Sequence, residues 1–265
     1  MLFKAKDRKV NFDIVGPSEA PVVYFAHSLA ADSGMWVEQV PEFLSAGYRV
    51  LRVDMRGHGG TDPGPGNYSM ETLVADAVEV LDCLQIERVH FCGLSIGGMI
   101  AQGVGILHPK RVISLILCDT QAKSPDDAQE RWGGRIRIIQ PENSMEPIAD
   151  ATVGRWLTEE FKRQNPNVWK QIRDTVAATP VQGYIGCAAA IQNFDWTHRL
   201  AEIAAPTFVL WGSDDPAAKQ GEGELIAAAI PRGEALSIEG ARHLPNLENS
   251  TLFNRLVIDW CKRND

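Results

Sequence analysis

The chain has 265 residues, 45% of them hydrophobic and 23% charged, with 23 glycines and 15 prolines to punctuate turns, a composition that excludes disordered and fibrous classes. Its formal charge of -8 and the lack of any local run of lysine and arginine exclude an electrostatic footprint for nucleic acid or an anionic membrane, so the expected partner is a small molecule, with the oligomeric state open. Five cysteines without a CxxC pair, a charged N-terminal decapeptide without the apolar core of a signal peptide, and no run of about 18 apolar residues point to a soluble, cytoplasmic protein.

In chain order, short β-rich runs at residues 11–15, 21–26, 48–53, 88–92, 112–118, 207–211 and 234–238 alternate with longer helical patterns. Several runs are almost wholly apolar, as strands buried on both faces must be, so the alternation predicts an α/β fold with a mostly parallel sheet and helices on both faces. The second run leads into Ala26, His27, Ser28 and Leu29 at the sheet's carboxyl edge, where the Leu29 amide is a candidate oxyanion donor and His27 a brace. His58, in the tight loop 54–61, is read as a structural hydrogen-bonding residue. Ser69 is an expected N-cap, with Glu71 at the positive end of a helix that buries Leu73, Val74, Ala77, Val78, Leu81 and Leu84.

The run 88–92 ends directly in Gly93-Leu94-Ser95-Ile96-Gly97-Gly98, followed by a helical pattern through Met99, Ile100, Ala101 and Val104. Gly-x-Ser-x-Gly between a strand and a helix is the nucleophile elbow, which exposes Ser95 and aims the Ile96 amide at a reacting oxygen. Bulk two residues before or after the serine would obstruct so sharp a turn, and Gly93 and Gly97 provide none. Because the motif lacks the lysine of a phosphate loop, and no histidine, cysteine and carboxylate cluster has metal-ligand spacing, no metal or cofactor is expected.

After residue 120 the alternation stops, resuming near residue 206. The stretch 121–205 reads as helix after helix, divided by Pro141, Pro147, Pro166 and Pro180, and is expected to be a helical cap inserted into a core of residues 1–120 and 206–265. The run 207–211 then ends in Gly212-Ser213-Asp214-Asp215-Pro216, which offers two carboxylates at a strand's carboxyl end. Asp215, three residues past the glycine and before a proline, is preferred over Asp214 as the acid that orients a base. That base is His243, on a loop between the last strand and a terminal helix expected over about 245–262. His90 lies in a strand, and His108 and His198 have helical or pre-helical surface contexts.

These residues resemble the α/β-hydrolase superfamily, and within it the 3-oxoadipate enol-lactonases. The likeness runs through loop 26–29, Met35 and Trp36, loop 54–61, the elbow, residues 117–120 and 212–216. It is carried most specifically by cap residues 131–136, 178–180, Gly183, Tyr184 and Asp195. The resemblance implies a lactonase or esterase of aromatic catabolism with Ser95, Asp215 and His243 as triad and Trp132 and Arg135 as pocket residues. Ser28 and residues 217–219 depart from the common pattern. An enol-lactone carries a carboxylate that a cap arginine would hold, and Arg135 is the one in the family motif. If the segment is helical, Arg131 shares its face, and the alternative is that Arg131, Arg135 and Arg137 are all solvated. Carbon–carbon, amide or peracid chemistry on the same triad, or a hydrolase-like ligand receptor, are the competing functions.

Overall fold

The computed structural model describes residues 1–265 apart from Lys6, Ala218, Lys219 and Gln220, so the departure at 217–219 falls largely outside the described residues. Among these residues eight strands form one sheet: β1 (Leu2–Lys4), β2 (Lys9–Val15), β3 (Val22–Ala26), β4 (Arg49–Val53), β5 (Val89–Leu94), β6 (Val112–Cys118), β7 (Thr207–Gly212) and β8 (Gly233–Ile238). Their spatial order is β1-β2-β4-β3-β5-β6-β7-β8, with β1 and β2 antiparallel to their neighbours and the other pairs parallel. Strands β3 and β5 are buried at every residue, which matches their continuous apolar sequences.

Among the described residues eleven α-helices accompany the sheet: α1 (Val40–Ser45), α2 (Met70–Cys83), α3 (Ile96–Leu107), α4 (Ala128–Ile139), α5 (Glu146–Trp156), α6 (Glu159–Gln164), α7 (Pro166–Ala178), α8 (Val181–Gln192), α9 (Glu222–Ala229), α10 (Pro245–Glu248) and α11 (Ser250–Asn264). Ser69 caps α2 by accepting a hydrogen bond from the Thr72 amide at 3.1 Å. Helix α3 is buried from Ile96 to Ile106, and each large apolar side chain it removes from water contributes about 1.5–3 kcal/mol. This burial holds the elbow's helix on the sheet.

Two expectations need correction. Strand β1 was not foreseen, because a three-residue edge segment with exposed Leu2 and Lys4 has no periodicity of its own and exists by pairing with β2. The single terminal helix is instead two, α10 and α11, separated at Asn249, whose side chain accepts from the Leu252 amide at 3.3 Å and so starts a new helix.

Helices α4 to α8 all lie between β6 and β7. The two ends of this segment meet in a bridge between Lys123 and Asp195, flanked by Ser124 N–H to Phe194 O at 2.8 Å and Trp196 N–H to Ala122 O at 2.9 Å. Helix α8 rests on the rest of the molecule through Tyr68 N–H to Gly186 O at 3.1 Å and Cys187 Sγ to Arg56 O at 3.8 Å. Arg56 itself is buried in an ion network, its guanidinium on Asp76 at 2.7 Å and on Asp7 at 2.9 Å, while buried Arg8 reaches Asp76 and Glu79. All five cysteines are free thiols, and Cys83 alone is exposed. Among the described residues no helix is long and apolar enough to cross a membrane.

Candidate active site

The parallel order β5-β6-β7-β8 sets four strand ends side by side, and the loops that follow them carry Ser95, Asp119, Asp215 and His243 in turn. Ser95 has φ 58° and ψ -117°, a backbone conformation that costs a non-glycine residue about 1–3 kcal/mol and persists where its surroundings enforce it. Here the Ser95 N–H donates to Cys118 O at 2.8 Å, and its carbonyl accepts from the Met99 amide at 3.1 Å and Thr120 Oγ1 at 2.7 Å. The flanking glycines are sterically required. A Cβ on Gly93 would sit 2.1 Å from the Gly97 carbonyl oxygen, and one on Gly97 would sit 2.3 Å from the Ala26 carbonyl oxygen.

That second approach also presses the start of α3 against the chain leading into Leu29. Ile96 opens α3, so its N–H has no acceptor within the helix. In the facing loop, the amides of Ser28, Ala30 and Ala31 are bonded to Met35 Sδ, His58 Nε2 and Ser28 O, while the Leu29 amide has no partner among the described residues. The loop is braced by two buried imidazoles. His27 accepts the Met55 amide at Nε2 and donates from Nδ1 to Ser28 O, both at 2.8 Å. His58 accepts the Ala30 amide and donates to Arg56 O, both at 3.1 Å. Burial pushes both imidazoles down, His58 to about 3, so each is neutral with its tautomer set by the backbone.

Asp215 and His243 meet, with His243 Nδ1 2.8 Å from Asp215 Oδ2 and both residues buried. Asp215 Oδ1 accepts the Ala217 amide at 2.9 Å. Burial pulls the Asp215 carboxyl up, but the His243 charge and hydrogen bond, the Ala217 amide and Asp119 together hold it below the usual range. Asp214 points away: it is exposed and accepts from Ser213 Oγ at 3.0 Å. The other histidines lie elsewhere, His90 bonded to Ser114 Oγ and Asp265, and His198 exposed.

Asp119 was not singled out by the sequence. It is buried with φ 42°, accepts the Gly212 amide at 2.9 Å, and has donor atoms within 4.8 Å of those of Asp215 and His243. Spacing along the chain foresaw no such cluster because its members are brought together across strands.

Trp132 and Arg135, both half-buried on α4, form one unit, the guanidinium 4.6 Å from the ring centroid. Trp132 in turn lies 6.0 Å from the Tyr184 ring of α8. Arg131 is exposed and paired with Asp127 at 2.6 Å, and Arg137 is exposed. Arg155 on α5 was also missed: burial and the neighbouring Arg135 charge hold it below the ordinary arginine range. Neither Arg135 nor Arg155 has a carboxylate partner among the described residues, and Arg155 donates to Thr152 Oγ1 at 3.3 Å. The next residue, Trp156, has its ring centroid 6.2 Å from that of His243 with the planes inclined by 29°, and Arg242 Nη1 donates to Gly154 O at 2.8 Å, tying the end of α5 to the His243 loop. In sequence Trp156 was one apolar position among many.

Residues 21–250 match the family described as alpha/beta hydrolase fold. A curated relative, 3-oxoadipate enol-lactonase 1 of Acinetobacter baylyi, is 32% identical over 262 residues, covering 99% of this chain and 96% of its own. Among solved structures, the enol-lactonase from Burkholderia xenovorans LB400 superposes with a TM-score of 0.93 at 32% identity, covering 99% of this chain and 100% of that one. A hydrolase from Pseudomonas aeruginosa PA01 does so with 0.93 at 31%, covering 98% and 97%.

Proposed function

Since this chain belongs to the α/β-hydrolase fold family, we propose that it is a serine hydrolase that opens a small lactone or cleaves a carboxylic ester through an acyl-enzyme, and that its substrate is 3-oxoadipate enol-lactone or a close relative. The observation that carries this is the elbow serine at φ 58° on the same sheet edge as the 2.8 Å His243–Asp215 pair. Ser95 Oγ attacks the carbonyl carbon while its proton passes to His243 Nε2, and Asp215 holds the Nδ1–H side of the ring. The amides of Leu29 and Ile96 receive the oxyanion. Collapse breaks the ring C–O bond, and His243 returns the proton to the leaving enol oxygen. Water, deprotonated by His243, then attacks the acyl carbon, the bond from that carbon to Ser95 Oγ breaks, and His243 returns the proton to Oγ as the acid leaves.

Residues 121–205 serve in this reading as a lid over the reacting centre, with Trp156 lying beside the base. Arg135 and Arg155, cations without a carboxylate partner among the described residues in a chain of net charge -8, support a substrate that carries its own carboxylate, which Arg135 anchors beside Trp132. The test is a panel of enol-lactones, saturated lactones and neutral aryl esters, assayed with the wild type and Ser95→Ala. The wild type is expected to prefer carboxylate-bearing lactones, and Ser95→Ala to lose about 10³-fold or more on each substrate while melting like the wild type. Wild-type turnover by folded Ser95→Ala would remove the nucleophile from this account. Slow, stoichiometric turnover on every panel member would favour a ligand receptor instead.

A further inference from the structure

We propose that Asp119 is a positioning residue for the catalytic pair: it carries a proton that its carboxyl donates to Asp215, keeping Asp215 ionised and fixed against His243. The role rests on the hydrolase reading above, although the protonation itself does not. Asp119 is buried, and its two oxygens are treated unequally. Oδ1 receives the Gly212 N–H at 2.9 Å, while no N–H or O–H reaches the buried Oδ2. The neighbouring polar group is a second carboxyl, Asp215, with which Asp119 and His243 share a volume where their donor atoms all lie within 4.8 Å.

Two buried carboxylates so close cannot both ionise, because each charge raises the cost of the other and neither is solvated. The asymmetry of their partners decides which one holds the proton. Asp215 is stabilised as an anion by two donors, His243 Nδ1 at 2.8 Å and the Ala217 amide at 2.9 Å, whereas Asp119 has the Gly212 amide alone. Burial first and the Asp215 charge second push the Asp119 carboxyl well above the usual range. The remaining titratable group against it, the buried Cys118 thiol, is also pushed up by burial and stays neutral. A protonated Asp119 satisfies its second oxygen by donating to Asp215, and gives that carboxylate a third donor.

The backbone supplies the means to test this. At φ 42° asparagine is tolerated nearly as well as aspartate, and its amide reproduces the neutral acid: the oxygen accepts from Gly212 and the NH2 donates to Asp215. Asp119→Asn is therefore expected to keep kcat within about threefold of the wild type. Asp119→Ala, which removes the donor, should lower kcat about 10- to 100-fold with KM nearly unchanged, the scale of one hydrogen bond to a charged group. It should also move the acid limb of the pH–rate profile to higher pH, since an Asp215 relieved of its third donor holds the charged imidazole more strongly. A purely structural residue would lower the melting temperature without moving that profile.

Should Asp119→Ala fail to fold, Asp119→Asn and infrared spectroscopy decide. The wild type should show the C=O stretch of a protonated carboxylic acid near neutral pH, and Asp119→Asn should lack it. Absence of that band from the wild type, or a folded Asp119→Asn as impaired as Asp215→Asn, would overturn the proposal. So would an Asp119→Ala with wild-type kcat and pH profile. Because the band is read without substrate, a protein that cleaved no ester would contradict the hydrolase reading while the protonation of Asp119 stood or fell separately.

Discussion

At the sheet's carboxyl edge Ser95 is held by backbone hydrogen bonds and by contacts that forbid a Cβ on Gly93 or Gly97, while on α4 Arg135 is held by the face of one half-buried tryptophan. Helix α3 behind the elbow is buried along almost its whole length, yet α4 buries Ala128 and Ile139, and α7 buries Val176 alone. Positions fixed by main-chain geometry in a packed interior can hold reacting groups to a fraction of an ångström. Side chains on thinly buried helices can be exchanged at small cost to folding, so such a segment can set which substrate is accepted. On the proposed function, chemistry and selectivity therefore sit in regions of different burial, and substitutions should separate them.

The largest effect is expected in the rigid region. Asp215→Asn should lower turnover about 10³- to 10⁴-fold, because it meets His243 Nδ1 with the wrong partner and tautomer. Asp214→Asn, at an exposed side chain bonded to Ser213, should leave kcat/KM close to the wild type. The two variants differ by one position on one turn. Similar losses from both would mean that the turn's fold, rather than the Asp215–His243 hydrogen bond, governs activity.

A smaller and more selective effect is expected from the segment between β6 and β7. Arg135→Ala should raise KM for a carboxylate-bearing lactone about 10-fold, the equivalent of about 1.4 kcal/mol, and spare a neutral ester. Equal losses on both substrates would show that Arg135 supports the helix packing. No effect on either would return it to the solvated surface.

The smallest effect concerns the brace of the Leu29 loop. His58 is held near 3 by burial, below the unfolded value of about 6.5, so the unfolded chain binds the extra proton on acidification. The stability it contributes is complete above about 6.5 and is lost as pH falls toward 3. The melting temperature of His58→Gln should therefore lie below that of the wild type at pH 7, with the gap narrowing by a few degrees at about pH 5. The other titrating groups are common to both proteins and cancel in this difference. A gap that stayed constant with pH would show that His58 binds its proton equally well in the folded and unfolded chain, and a gap that widened on acidification would show that it is charged in the fold.

The same contrast explains what could be read from the sequence. The apolar strands, the Ser69 cap and the elbow are local: each is a pattern within a dozen residues that physics ties to one conformation. Ser95, His243 and Asp215 could be proposed from sequence because their chemistry narrows the choice at each strand end, and in the structure His243 hydrogen-bonds Asp215 while Asp214 is exposed. Asp119 was not, since its significance lies in contact with Gly212, 93 residues away, and with Asp215. Trp156 and Arg155 sit in an ordinary helical pattern, and nothing in their spacing reveals that one lies beside the His243 ring and the other adjoins Arg135. The buried pair Arg8 and Arg56 likewise looks like surface charge until Asp7, Asp76 and Glu79 are folded against it.

The central claim, that Ser95 is an activated nucleophile, is tested most directly by covalent capture. The wild-type protein would be treated with a fluorophosphonate, digested and mapped by mass spectrometry, beside Ser95→Ala and Asp215→Asn. A single phosphonyl adduct on Ser95, absent from Ser95→Ala and formed far more slowly in Asp215→Asn, is the predicted result. A folded wild-type protein that takes up no label, or takes it up on another residue, would contradict the account.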